Sequence, residues 1–421
     1  MSELEGLGLR RKTRLVSGPQ GPRVVLNGKP TLVLCSGNYL GLADHPRIRE
    51  AAADAAMRWG AGAAATRLTS GSMTIHRRLE ERLAGFMRRQ TTLLFGSGYL
   101  AGVGVIAALA RPGDVVFSDE DNSGSIVDGC RLSGAEMFVY DHGDVDHLRW
   151  GIVKAEGRAA LIVTESVFSL GGDIAPLAEI VELARGRRLR VVVDEGHGLG
   201  TVGPEGRGAL AELGLEDQVD AIIGTLGHAL ASYGGFVACQ RELADYLLNA
   251  SRTLQFSSSP TPPAASAALA ALTLLEERPE LVARLGANAS LLRRELRDRG
   301  FCFEQGRSAI VSILVGDPAL GNKVGEAALQ RGVLTDPVGP PVVSAAASRL
   351  RLAVMASHQR EELRDAADAL IDASLSAGFE PAAVGFDEPP EEVDFSPKSD
   401  STRSAPRSQI FDGQAVEGLA A

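Results

Sequence analysis

Aromatic residues are scarce in this chain: Phe, Trp and Tyr make up 5% of its 421 positions. A core so poor in large rings must pack through small aliphatic side chains, as helices laid on a sheet do. Cysteine is equally sparse. Cys35, Cys130, Cys239 and Cys302 are far apart and form no Cys-x-x-Cys pair. That spacing argues against a disulfide framework or a zinc site and leaves reduced thiols in a cytoplasm as the expectation. No apolar run reaches the roughly 20 residues that a membrane-spanning helix needs. Met1–Glu5 shows no basic region followed by an apolar one, so no signal peptide is expected. The formal net charge of −10 argues against general binding to nucleic acid or to anionic membranes, though not against a local basic pocket. Lysine is rare too: Lys12, Lys29, Lys154, Lys323 and Lys398 are all there are.

What is present is ordinary globular material, 45% hydrophobic and 23% charged, in a chain long enough for two packed domains. Residues 1–45 read as an N-terminal arm leading into a first strand at Thr31–Cys35. Residues 46–280 alternate helical and strand patterns. Short apolar runs at Thr92–Phe95, Val115–Ser118, Glu136–Tyr140, Ala160–Thr164, Arg190–Val193, Ala221–Gly224 and Gly235–Cys239 suit buried parallel strands. A helix is expected over Ile174–Arg185 with Asp173 as its N-cap. A helix at Pro263–Glu277 and a longer one over about 279–299 lead into a smaller α+β segment, 281–379. Residues 380–421 are acidic, then rich in Ser, Pro and Arg, and are expected to be disordered. In an open α/β sheet, ligands sit at the carboxyl ends of the strands.

The strongest local pattern is Val191-Val-Val-Asp-Glu-Gly-His-Gly. An apolar strand ends in Asp194, with His197 in the glycine-rich turn behind it. A carboxylate there can hold a protonated ring nitrogen, a pairing worth about 4 kcal/mol before desolvation at an effective dielectric near 20. Read alone, the same residues could equally be a turn cap and a satisfied polar group.

Taken together, the motifs resemble those of the α-oxoamine synthases, pyridoxal-phosphate enzymes of fold type I. Asp194-Glu-Gly-His197 is similar to their Asp-Glu-x-His turn. Ser36-Gly-Asn-Tyr-Leu-Gly-Leu is similar to their Ser-Asn-Asn/Asp-Tyr-Leu-Gly-Leu segment. Thr66-Arg-Leu-Thr-Ser-Gly, Phe95-Gly-Ser-Gly-Tyr, Glu165-Ser-Val-Phe-Ser-Leu-Gly-Gly-Asp173, Gly224-Thr-Leu-Gly-His-Ala-Leu, Phe256-Ser-Ser-Ser-Pro and Arg349-Leu-Arg-Leu follow in the family's order. The resemblance covers about residues 8–378. It implies an α/β fold-type-I, aminotransferase-like large domain with a mostly parallel sheet, plus the smaller α+β C-terminal domain. It also implies roles. Ser97, Gly98 and Tyr99 would meet a phosphate at a helix N-terminus, with Thr225 and, from a second subunit, Ser258. Asp194 would pair a pyridine nitrogen, His197 a ring hydroxyl, and Ser169 and Asn122 would support the ring. Arg351 would clamp an amino-acid carboxylate.

Several positions depart from that pattern. The residue expected to be the cofactor-linking lysine is His228, and imidazole cannot form that linkage. No other lysine lies in a motif. Ser123 stands where the family has the histidine stacked on the ring, Gly37 and Gly102 stand in place of asparagines, and Leu170-Gly replaces Met-Asp. The expectation is therefore no covalent pyridoxal phosphate, with that cofactor or pyridoxamine phosphate held non-covalently if at all. His228, with an ordinary pKa of about 6.5, can still act as a base.

Three functions fit these residues. The first is an acyltransferase joining an acyl thioester, on CoA or a carrier protein, to an amine, with His228 as base and His197 and Asp194 beside it. The second is an inactive subunit paired with a lysine-bearing homologue. The third is a non-covalent pyridoxal-phosphate enzyme. The first is preferred, because simple acyl transfer needs a base and an oxyanion donor but no electron sink. A homodimer with shared sites is expected, with no nucleic acid and no metal.

Overall fold

The structure, a computed structural model, describes residues 11–381 except 188, 304 and 305. The tail assigned above to 380–421 lies outside these residues from 382 on.

The arm forms strands β1 (Val16–Ser17), β2 (Arg23–Leu26) and β3 (Lys29–Val33). Seven strands build the central sheet: β4 (Thr91–Phe95), β5 (Val115–Asp119), β6 (Glu136–Tyr140), β7 (Ala159–Glu165), β8 (Arg190–Asp194), β9 (Ala221–Thr225) and β10 (Gly235–Cys239). Their order is β4-β10-β9-β8-β7-β5-β6. The C-terminal segment adds β11 (Ile310–Leu314), β12 (Val333–Leu334), β13 (Asp336–Val338) and β14 (Arg349–Ala353). β12 pairs in parallel with β3, so the arm and the C-terminal segment share one sheet. The three-stranded sheet β11-β14-β13 completes that end of the molecule.

The central sheet is buried on both faces, as its continuous apolar strands require. Leu94, Phe117, Ile162, Val193, Ile222 and Phe236 face one core, and Phe95, Val116, Val163, Val192, Ile223 and Val237 the other. The small-residue composition shows in the helices. In Pro262–Glu277, Ala265, Ala268 and Ala271 are fully buried beside Leu272 and Leu275.

Two expectations about elements are corrected. Gly235–Cys239 runs antiparallel to both its neighbours, β4 and β9, so the sheet is mostly rather than wholly parallel. An apolar run reports burial but carries no direction. The helix expected from Ile174 begins instead at Leu177, after Pro176. Ile174 makes an antiparallel bridge to Val167, and the Asp173 carboxylate faces His142 at 3.0 Å rather than capping the helix.

Candidate active site

The loops at the carboxyl ends of β8 and β9 bring two histidines together. The rings of His197 and His228 stack with centroids 4.5 Å apart and planes 29° from parallel. His228 Nδ1 lies 2.8 Å from the Gly196 carbonyl. A carbonyl oxygen only accepts, so Nδ1 holds the proton and Nε2 keeps a free lone pair. His197 Nδ1 lies 2.7 Å from the Tyr39 hydroxyl. Burial raises the Tyr39 pKa, so the phenol keeps its proton; with its oxygen accepting from the Arg351 side chain, its O–H is assigned as the donor to His197 Nδ1. His197 therefore carries its own proton on Nε2. The pair offers one acceptor and one donor.

Both rings are held neutral. Burial lowers the His197 pKa well below its usual value, and the neighbouring His228 and Arg351 push the same way. Burial also lowers that of His228, with the Gly196 bond opposing and Arg351 adding. Two stacked, half-buried imidazoles disfavour charge on either.

Acids lie behind them. Burial raises Asp194 to about 6, opposed by the Gly196 N–H at 2.7 Å. Glu165 is raised well above the usual carboxyl range, by burial first and then by Asp194. Its Oε2 lies 3.3 Å from the Ser169 hydroxyl. Glu195, at about 7 through burial, accepts from Ser166 at 2.6 Å and from the Leu210 N–H at 2.8 Å. Neither glutamate was singled out from sequence, although each sits inside a motif quoted above.

At the other end, Ser97 caps the helix Gly98–Leu109, its Oγ accepting from the Leu100 N–H at 3.1 Å. A β-carbon on Gly98 would come within 2.9 Å of Thr225 Cβ, so the bare glycine lets Thr225 close on the helix N-terminus. That is a ready seat for an anion. Three further expected residues make the following contacts within the chain. Tyr99 is half-exposed and gives its hydroxyl to Asp128 at 2.6 Å. Asn122 is buried as a brace, donating to Ser118 and Val163 and accepting from the Glu165 N–H. Ser258 bridges Thr66 of its own chain.

A cavity of about 780 Å³ opens beside His197. Ser169, Leu170 and Arg351 line it with His197, while Asp336 to Pro340 and the arm residues Arg11, Lys12 and Arg14 form its outer part. Arg351 Nε donates to the Ser169 carbonyl at 2.6 Å, and its guanidinium is 3.9 Å from Asp336. An Arg14–Glu326 ion pair pins the arm in place. Lys12 thus reaches the site lining, which its place in the sequence did not announce. Among the described residues, no group of three or more His, Cys, Asp or Glu side chains is arranged to hold a metal ion. Nor is any described helix long and apolar enough to cross a membrane.

Comparison with known proteins adds context. The chain matches the aminotransferase class I and II family over residues 29–370. It is 43% identical over 371 residues to an 8-amino-7-oxononanoate synthase of Pelobacter propionicus, covering 87% of this chain and 95% of that one. A Geobacter sulfurreducens protein of the same name is 42% identical over 373 residues, covering 88% and 95%. Among solved structures, SPT with a PLP internal aldimine superposes with a TM-score of 0.83 at 30% identity, covering 87% and 93%. A serine palmitoyltransferase of Sphingomonas wittichii gives a TM-score of 0.85 at 29% identity, covering 90% and 96%. The first of these two structures corrects the expectation about the cofactor. That neighbour holds PLP as an internal aldimine, which is a covalent bond, so the expectation of pyridoxal or pyridoxamine phosphate held only non-covalently is overturned.

Proposed function

From the premise that the chain belongs to the aminotransferase class I and II family, among its α-oxoamine synthases, we propose that it is an acyltransferase that joins an acyl thioester to an amine. The reading rests on one observation: His228, its Nδ1 on the Gly196 carbonyl, stacks against His197, whose Nδ1 meets the Tyr39 hydroxyl, which directs the Nε2 atom of each ring away from these partners.

The acceptor amine gives a proton to His228 Nε2 as its nitrogen attacks the thioester carbonyl. The carbonyl oxygen gains negative charge and accepts from His197 Nε2–H. As the carbonyl re-forms, the C–S bond breaks, and the departing thiolate takes the proton back from His228. A placed base contributes about 10²–10⁴ in rate, and an oxyanion donor about 10²–10³. Arg351, bonded to the Ser169 carbonyl and to Tyr39 and lying 3.9 Å from Asp336, turns its remaining donors toward a carboxylate on the acceptor.

The residues also fit pyridoxal phosphate. Asp194 is a half-buried carboxylate whose hydrogen-bond partner among the described residues is the Gly196 N–H, so a protonated ring nitrogen would offset its desolvation. The Ser97–Gly98 helix N-terminus and Thr225 would seat the phosphate. When bound, the cofactor supplies an electron sink at the acceptor carbon.

The test is product formation. Full-length protein saturated with pyridoxal phosphate is incubated with a series of acyl-CoA thioesters and of amines and amino acids, and free thiol and acylated product are measured. Thiol release that depends on the amine supports the proposal; no product from any thioester overturns it. We further propose a homodimer, because Tyr99, Tyr233 and Phe256 leave large aromatic surface exposed on this chain; sedimentation at micromolar concentration tests it.

A further inference from the structure

Gly37 lies against the edge of the His228 ring. A β-carbon built on Gly37 would sit 2.5 Å from His228 Cδ2 and 3.3 Å from Nε2. Real β-carbons do not approach other atoms that closely, so any side chain at 37 would push the imidazole off its seat or cover Nε2. The backbone itself does not ask for glycine here, since Gly37 is absent from the positive-φ glycines. The requirement comes from the ring alone.

The same turn serves the second histidine. Tyr39, two residues on and tied back by its N–H to the Gly37 carbonyl at 2.7 Å, holds His197 through its hydroxyl. Its ring meets both imidazoles edge-on, at 6.0 and 5.8 Å.

We infer that Gly37 is a positioning residue, whose missing side chain seats His228 against Gly196 and keeps its Nε2 open to the acceptor. The inference rests on the acyl-transfer reading for its purpose, but not for its test. A bulkier residue at 37 acts through His228. It displaces the ring, breaks the Nδ1 bond to Gly196 and so releases the tautomer.

Two readouts on the full chain decide it. Diethyl pyrocarbonate acylates an unprotonated imidazole nitrogen, and mass spectrometry locates the product. Nitrogen NMR of labelled histidine reports the tautomer. At pH 7 the wild type should show His228 protonated on Nδ1 and acylated at Nε2. In Gly37→Ala, acylation of His228 should slow at least tenfold relative to His45 in the same sample, and the single-tautomer signal should be lost. An unchanged rate and tautomer in Gly37→Ala overturn the inference. Should Gly37→Ala fail to fold, Gly37→Ala/His228→Ala must fold, because the clash is with the ring; failure of the double variant overturns the inference as well. The acyl-transfer reading fails separately, if a wild type with His228 seated and reactive transfers no acyl group.

Discussion

The Tyr39 hydroxyl lies 2.7 Å from His197 Nδ1, and with its oxygen also bonded to Arg351 that contact, with the hydroxyl as donor, sets which nitrogen of His197 faces outward with a proton. Tyr39→Phe keeps the ring and removes the donor. His197 is then free to place its proton on either nitrogen, and the oxyanion loses part of its donor. The expected result is a fall in kcat of about tenfold, the worth of one ordinary hydrogen bond, with KM changed little. Steady-state kinetics on the purified variant checks this.

Because burial lowers both histidines, acid does not switch the base off at its usual point. His228 normally titrates near 6.5, and its folded value lies lower. The base form therefore persists as pH falls through 6.5 and is lost only below it. The acid limb of kcat/KM should lie below 6.5 and vanish in His228→Ala. A limb at or above 6.5 would count against a neutral, buried His228.

Asp194 gives a prediction with two signs. Its folded pKa of about 6 stands above the ordinary 3.8, so the unbound protein loses stability as pH rises through 6. Asp194→Asn removes that buried charge, and at pH 8 the unbound variant should be more stable by about 1–3 kcal/mol. The same change removes the partner for a protonated ring nitrogen, so pyridoxal phosphate should bind at least tenfold more weakly. Thermal unfolding with and without the cofactor shows whether the two effects cross.

A covalent link to pyridoxal phosphate, if trapped by borohydride, should map to Lys12. It is the described lysine that lines the cavity with His197 and Arg351, whereas Lys154 lies over Trp150, and Lys29 and Lys323 are exposed outside the lining. Peptide mapping after reduction, at cofactor equimolar with protein, gives the site. A pyridoxyl group on Lys29, Lys154 or Lys323 contradicts the assignment.

Much of this site is legible in the sequence. The turn Asp194–His197, the Thr225–His228 loop, Ser169 and Arg351 stand in ordered motifs, and the fold brings them to one end of the sheet. Contacts between distant segments were not legible. Gly37 is read as a missing asparagine, and its partner lies 191 positions away. Tyr39 is part of a quoted motif, but its bond to His197 depends on how its turn meets the turn that follows β8. The direction of β10 was hidden because burial on both faces looks the same in either orientation. Lys12 falls in polar sequence without periodicity, and its place at the cavity depends on a β1–β2 pairing and an ion pair to Glu326.

The central claim is that His228 is a working base, and chemical rescue tests it most directly. Acyl transfer to an amine is measured for the wild type, for His228→Ala, and for His228→Ala with added imidazole. A loss of about 10²–10⁴ in kcat, partly restored in proportion to the concentration of unprotonated imidazole, is the predicted result. A His228→Ala protein as fast as the wild type would contradict it.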